Sequence, residues 1–164
     1  MVLDLNIQEV IEAVNGEIIV KNNDGHFNKI STDTRKIEND NLFVALKGAN
    51  FNGNTYAVSA IEKGASVVIV DEIKFEKEDL KCKGTVIKVK DTKVALGDLA
   101  RYYRKKLGIK VVGITGSTGK TSTKDLIAAF LSGKYKVFKT QGNFNNEIGL
   151  PLMVLELDSS IDVA

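Results

Sequence analysis

The chain of 164 residues contains one cysteine, one proline, one histidine and no tryptophan. A single cysteine, Cys82, excludes an internal disulfide framework and any cysteine-cluster zinc site. A single histidine, His26, argues against a His-rich metal site or a Ser-His-Asp triad, because a triad must use that one residue. It sits beside a predicted turn and reads as exposed. No apolar run approaches the ~18 residues of a membrane-spanning helix. The opening Met1-Val2-Leu3-Asp4 carries acid where a secretory signal carries base. These absences point to a cytoplasmic protein with no membrane insertion. Charge of one sign is lacking too: 23 basic against 21 acidic residues leave a net +2. That is no electrostatic footprint for nucleic acid, so any affinity for phosphate must be local.

What is present is an ordinary globular composition, 43% hydrophobic and 27% charged, which excludes disorder. Hydrophobic periodicity predicts an α/β chain. Asn6 caps a helix over 7–14, and strands follow at 17–20, 42–46, 66–70 and 85–89. A turn at Asn22-Asn23-Asp24-Gly25 carries the Asp-Gly signal of a hairpin. Residues 47–54 read as a glycine- and asparagine-rich loop, 55–63 as a helix, and 71–83 as a charged surface segment. A helix opening at Asp91-Thr92-Lys93 runs to about Leu107, with Leu96, Leu99, Ala100, Tyr103 and Leu107 on one stripe. Beyond Gly108 come a strand at 111–115, a glycine loop, a helix at 120–131 and a strand at 136–138. That is a βαβ unit, hence a parallel sheet. A second Asn/Gly loop spans 140–149, an apolar stretch 152–157, and a last strand begins at 161. A division into two units is expected near residue 90.

The glycines concentrate the chemistry. Thr115-Gly116-Ser117-Thr118-Gly119-Lys120-Thr121-Ser122 follows an apolar strand and opens a helix, the setting of a phosphate loop. Glycines leave backbone N–H groups free to curl round a phosphate. The helix aims its positive end at the anion. Lys120 can reach the β- and γ-phosphates, and the Thr121 hydroxyl can ligate Mg²⁺. The general Gly-x-x-x-x-Gly-Lys-Thr pattern fails by one position, since Ile114 stands where it asks for glycine.

The segment Thr115–Thr121 resembles the shortened phosphate loop of the Mur ligases, ATP-dependent amide ligases of peptidoglycan precursor synthesis. Asp33-Thr34-Arg35, Asn41–Gly48 and Phe51-Asn52-Gly53 are similar to that family's UDP-sugar-binding N-terminal domain. Thr140–Pro151 resembles the member that adds D-Ala-D-Ala. The resemblance implies an N-terminal substrate-binding domain at 1–90 and a truncated parallel-sheet P-loop central domain at 91–164. It implies that ATP phosphorylates the terminal carboxylate of UDP-N-acetylmuramoyl-tripeptide, and that the amine of D-Ala-D-Ala attacks the acyl phosphate. Gly116, Ser117, Thr118, Gly119, Lys120, Thr121 and Ser122 would bind ATP, with Lys120 catalytic and Thr121 on Mg²⁺. Thr34, Arg35, Lys47, Phe51, Asn52, Gly53, Asn143, Asn145 and Asn146 would lie at the substrates. The resemblance implies a monomeric full-length enzyme. A fragment would bind UDP-substrate weakly, catalyse nothing, and carry an open sheet edge through which it could fray or self-associate.

Plainer readings stand beside these. Asp33-Thr34-Arg35 can be a turn with an ion pair. Residues 143–149 can be a string of side-chain-to-backbone turns. Glu147 can be a Mg²⁺ ligand or a solvated carboxylate. Cys82 reads as a surface thiol, and Arg101–Lys106 as a solvated basic face. Two rival functions remain: the preceding ligase, which adds the third peptide residue, and a P-loop module that ligates nothing. Asn145–Gly149 argues against the first; uridine recognition discriminates the second.

Overall fold

A computed structural model describes residues 3–80, 83–140, 142, 144 and 146–164. Helix α1 (Ile7–Val14) begins with a reciprocal cap: Asn6 Oδ1 accepts from the Glu9 N–H at 3.0 Å, and Glu9 accepts from the Asn6 N–H at 2.9 Å. Such a box satisfies two N–H groups that a helix start otherwise leaves unpaired. Strands β1 (Glu17–Lys21), β2 (Lys29–Ser31) and β3 (Asn41–Val44) follow. The expected loop at 47–54 contains a two-residue hairpin, β4 (Lys47–Gly48) with β5 (Phe51–Asn52). Then come α2 (Ala57–Glu62), β6 (Ala65–Val70), β7 (Thr85–Lys88) and α3 (Thr92–Leu107).

The main sheet has the order β1-β7-β6-β3-β2. β7, β6, β3 and β2 run parallel, and β1 is antiparallel on β7. The apolar run of β6 is covered on both faces, as its sequence requires. Val67 and Ile69 enter one core with Leu42, Val44 and Ile87, under α1 and α3. Val68 and Val70 enter the other with Phe43 and Val86, under α2.

The Asp24-Gly25 turn does not close a hairpin: β1 and β2 lie at opposite edges of the sheet. Asn23 is the reason. Its amide donates to the Ser66 carbonyl at 3.0 Å and accepts from the Thr85 hydroxyl at 2.6 Å. This ties the turn to the starts of β6 and β7 and carries the chain across the sheet. His26 is exposed, as expected.

After α3 come α4 (Lys120–Leu131) and α5 (Gly149–Val154). The strands expected at 111–115, 136–138 and 161–164 reduce to two parallel single-residue bridges, Lys110 to Val163 and Val137 to Val163. The sheet is parallel as the βαβ pattern requires, but no longer ladder forms. Val111 and Val112 are about half exposed, so burial contributes little to holding a strand there. The apolar stretch from 152 belongs to α5, which packs on α3; Leu155 joins the first core, and the buried Tyr103 hydroxyl donates to the Leu157 carbonyl at 2.9 Å. Among the described residues no helix is long and apolar enough to cross a membrane.

Candidate functional site

The proposed phosphate loop forms the start of α4. Gly119 caps the helix at φ 75°, a left-handed conformation that costs other L-residues roughly 1–2 kcal/mol. A Cβ built there meets nothing within 4 Å, so the space beside this turn is open. Residues 115–123 are exposed, and no side chain caps the first turn of α4. Its N–H groups therefore face outward with a positive helix end behind them, an arrangement that suits an anion. Lys120 Nζ folds back onto the Gly116 carbonyl. The Thr121 hydroxyl, in the first turn of α4, is a hard oxygen of the kind a cation takes. Among the described residues no group of three or more Asp, Glu, His or Cys could hold a metal.

The strand ends bring further residues together. Lys47 and Asn52 follow β3, Glu72 follows β6, and Thr92 follows β7; ligands of open α/β sheets collect beyond such carboxyl ends. Lys47 forms an ion pair with Glu72, and Asn52 Nδ2 donates to the same carboxylate at 2.9 Å. The ammonium first, then the amide, hold the Glu72 carboxyl down to about 2. Gly53 is buried, with its N–H on the Leu46 carbonyl at 2.8 Å. A Cβ there would lie 2.5 Å from that same oxygen, so only glycine fits. Phe51 stacks on Tyr56 with centroids 5.4 Å apart, and both rings remain exposed.

Thr34 and Arg35 stand apart from this group. They lie in a short 3-10 turn after β2, which Asp33 caps. Asp33 takes two contacts from the Arg35 guanidinium, at 2.9 and 2.7 Å, which hold its carboxyl well below the usual range. The ion-pair turn is thus formed, and Lys63 donates to the Thr34 carbonyl at 3.1 Å. Beside it a cleft of about 740 Å³ opens between β2 and α5, lined in part by Asn28, Ser31, Asp33, Leu152 and Glu156. That volume is within the range of small-molecule sites.

In the second Asn/Gly loop, Asn143 and Asn145 lie outside the described residues, as does Cys82. Asn146 Oδ1 accepts from the N–H groups of Ile148 and Gly149, at 3.1 and 2.6 Å, and so shapes the start of α5. Glu147 pairs with Lys93 at 2.9 Å, in the first turn of α3. This loop is therefore tied to the same end of the sheet as Thr92. Lys124 of α4 donates to the Thr140 carbonyl at 2.7 Å, which joins α4 to the loop's beginning. Sequence reasoning missed Asn54, Asp71, Glu72 and Thr92. One signal existed: Asp71-Glu72 closes an apolar strand, where parallel sheets place functional groups.

Two family models match the chain: the Mur ligase family, catalytic domain, over residues 26–104, and the Mur ligase middle domain over 114–164. The chain is 45% identical over 135 residues to the UDP-N-acetylmuramoyl-tripeptide–D-alanyl-D-alanine ligase of Bacillus subtilis (strain 168), covering 82% of this chain and 29% of that protein. It is similar to the solved UDP-N-acetylmuramoylalanyl-D-glutamyl-2,6-diaminopimelate–D-alanyl-D-alanyl ligase from Acinetobacter baumannii. There the TM-score is 0.83 at 31% identity, over 96% of this chain and 34% of that one. A MurF ligase from Thermotoga maritima in complex with ADP gives 0.71 at 32% identity, over 86% and 32%. The chain spans about a third of the length of the curated relatives it matches.

Proposed function

The chain belongs to the Mur ligase family, and we propose that it forms the UDP-sugar-binding and phosphate-binding part of an ATP-dependent ligase that adds D-alanyl-D-alanine to UDP-N-acetylmuramoyl-tripeptide. The observation that carries this reading is the open, glycine-capped start of α4, in a chain 45% identical to a ligase of that name. ATP, when bound, supplies the phosphoryl group that activates the tripeptide's terminal carboxylate toward the amine of D-Ala-D-Ala. Phosphoryl transfer asks a protein for position and charge neutralisation more than for covalent chemistry. Gly116 to Ser122 hold the phosphates through backbone N–H groups. Lys120 leaves the Gly116 carbonyl to neutralise charge on the transferred group, and Thr121 offers its hydroxyl to Mg²⁺. Thr34 and Arg35 beside the cleft, with Lys47, Phe51, Asn52 and Gly53 beyond β3, hold the UDP-muramoyl substrate. Asn143, Asn145 and Asn146 serve the loop between the two sites.

The division proposed near residue 90 makes α3 a shared element, because it sits in the first core and also packs against α5. A cytoplasmic setting and action as a monomer belong to the same proposal.

Thermal unfolding with UDP-N-acetylmuramoyl-tripeptide tests the reading. Ligand at a hundred times Kd stabilises by about 2.7 kcal/mol. At roughly 2–4 °C per kcal/mol this is a Tm rise of roughly 5–10 °C. No rise at millimolar ligand, with ATP binding intact, identifies a P-loop module of another kind. In the ligase, Lys120→Ala should abolish turnover.

A further inference from the structure

Two of the residues proposed to bind substrate converge on one side chain that has no assigned role. The Lys47 ammonium meets Glu72 Oε1, and the Asn52 amide meets Oε2. Lys74 approaches the second oxygen at 3.4 Å. Glu72 is itself held from below. Its backbone N–H donates to Asn54 Oδ1 at 3.3 Å, and the Asp71 N–H donates to the same oxygen at 3.1 Å. Asn54 has no exposed surface. Its Nδ2 donates to Asn52 Oδ1 at 2.8 Å and to Asp71 Oδ1 at 2.7 Å. The other Asp71 oxygen accepts from the Thr92 N–H at 3.3 Å, while the Thr92 hydroxyl donates to the Ala45 carbonyl at 2.9 Å. The ends of β3 and β6 and the start of α3 are thereby locked into one buried polar network.

We infer that Glu72 is a positioning residue, which fixes the Lys47 ammonium and the Asn52 amide for substrate and is itself fixed by Asn54. The inference rests on the reading that Lys47 and Asn52 contact the UDP-muramoyl substrate. The hydrogen-bond inventory of the two side chains says what they then present. An ammonium has three donors and an amide nitrogen two. Glu72 takes one from each, and the Asn52 oxygen is occupied by Asn54. Two donors of Lys47 and one of Asn52 remain, with no acceptor among them. This surface selects acceptor oxygens, of a phosphate or of a sugar carbonyl. An exposed ion pair of this kind adds little to folding. Its consequence is that two flexible side chains are ordered before the ligand arrives, which lowers the cost of binding.

Titration of the chain with UDP-N-acetylmuramoyl-tripeptide tests this, in the wild type, Glu72→Gln, Glu72→Asp, Lys47→Met and the Glu72→Gln/Lys47→Met double variant. Glu72→Gln should raise Kd about fivefold, the upper end for an exposed pair, with Tm within about 1 °C of wild type. Glu72→Asp keeps the charge and withdraws it by one methylene, and should weaken binding to a similar degree. In the Lys47→Met background the Glu72→Gln effect should fall below about twofold, since coupled residues are not additive. Three results overturn the inference while leaving the function intact: unchanged Kd in Glu72→Gln, full rescue by Asp, or an equal fold-loss in both backgrounds. A loss of affinity that tracks a fall in Tm of several degrees overturns it also, as a structural role. Absence of binding by the wild-type chain removes the functional reading and this inference together.

Discussion

Replacing Tyr103 by phenylalanine removes the buried bond between α3 and the segment after α5. Tyr103 is 1% exposed, and its hydroxyl donates to the carbonyl of Leu157, also 1% exposed, at 2.9 Å. Phenylalanine keeps the ring and its packing, so the change removes the hydroxyl alone, with its bond to Leu157 and its weaker contact with the Asp4 backbone. A buried acceptor left without its partner costs about 1–3 kcal/mol. Taking ~1.5 kcal/mol and roughly 2–4 °C per kcal/mol gives a Tm lower by roughly 3–6 °C at pH 7. The effect should also depend on pH. Burial pushes the Tyr103 hydroxyl up from its ordinary value. A raised folded-state value contributes stability that is complete below the unfolded value, near 10, and is lost as pH rises through the folded one. The difference between wild type and Tyr103→Phe should therefore narrow above about pH 10. Tyr102, whose hydroxyl is also raised by burial, leaves both proteins an alkaline decline of their own. Urea unfolding followed by circular dichroism from pH 7 to 11 measures the difference, and hydrogen exchange at residues 152–157 locates it. A Tm change below about 1 °C, or a difference that widens with pH, would refute the reasoning.

Two substitutions at glycine separate structure from binding at the proposed sites. Gly53→Ala places a methyl 2.5 Å from the Leu46 oxygen and 2.8 Å from the Ala45 carbonyl carbon, both backbone atoms. It should lower stability by about 1–3 kcal/mol, as overpacking does, and an unchanged urea midpoint would show that the approach is not tight. Gly119→Ala meets no neighbour, so it should cost only the ~1–2 kcal/mol of a left-handed alanine. Its methyl nevertheless stands where an anion approaches the α4 N-terminus, and equilibrium dialysis should show ATP affinity falling by roughly tenfold or more. Unaltered ATP affinity would move the phosphates elsewhere.

Local signals in the sequence were reliable where a single element carried them. The Asn6 cap, the Gly119-Lys120 helix start and the apolar run of β6 each depend on consecutive residues, and each formed where expected. Pairing was less legible. The Asp24-Gly25 turn carries a true hairpin signal, yet Asn23 reaches Ser66 and Thr85, 43 and 62 residues away, and these bonds decide where the chain goes. The strand at 111–115 shows the converse. Its pattern is sound, but Val111 and Val112 stay about half exposed, and β-propensity with little burial supplies little. The same distinction governs the site. The proposed phosphate loop is written in eight adjacent residues. The Glu72 network draws on the ends of β3 and β6 and the start of α3, with Ala45 and Thr92 separated by 47 residues.

The geometry of α3 explains how the segment around α5 holds a fixed relation to the main sheet. Lys93 meets Glu147 near the start of the helix, and Tyr103 meets Leu157 ten residues later. Residues 147–157 thus follow residues 93–103 in the same direction and at the same interval. Ten residues of helix span about 15 Å. One contact between two bodies permits a pivot, whereas two contacts that far apart remove it. Their strengths differ: the exposed Lys93–Glu147 pair contributes ~0–1 kcal/mol, and the Tyr103–Leu157 bond lies in the core. The buried bond therefore sets the docking of α5, and the ion pair sets the angle of the loop that precedes it. Cutting the pair should loosen only that loop, which lies at the end of α3 where Thr92 ties into the Asn54 network. The segment that carries α5 and the strand-end residues thus share a common reference in one helix.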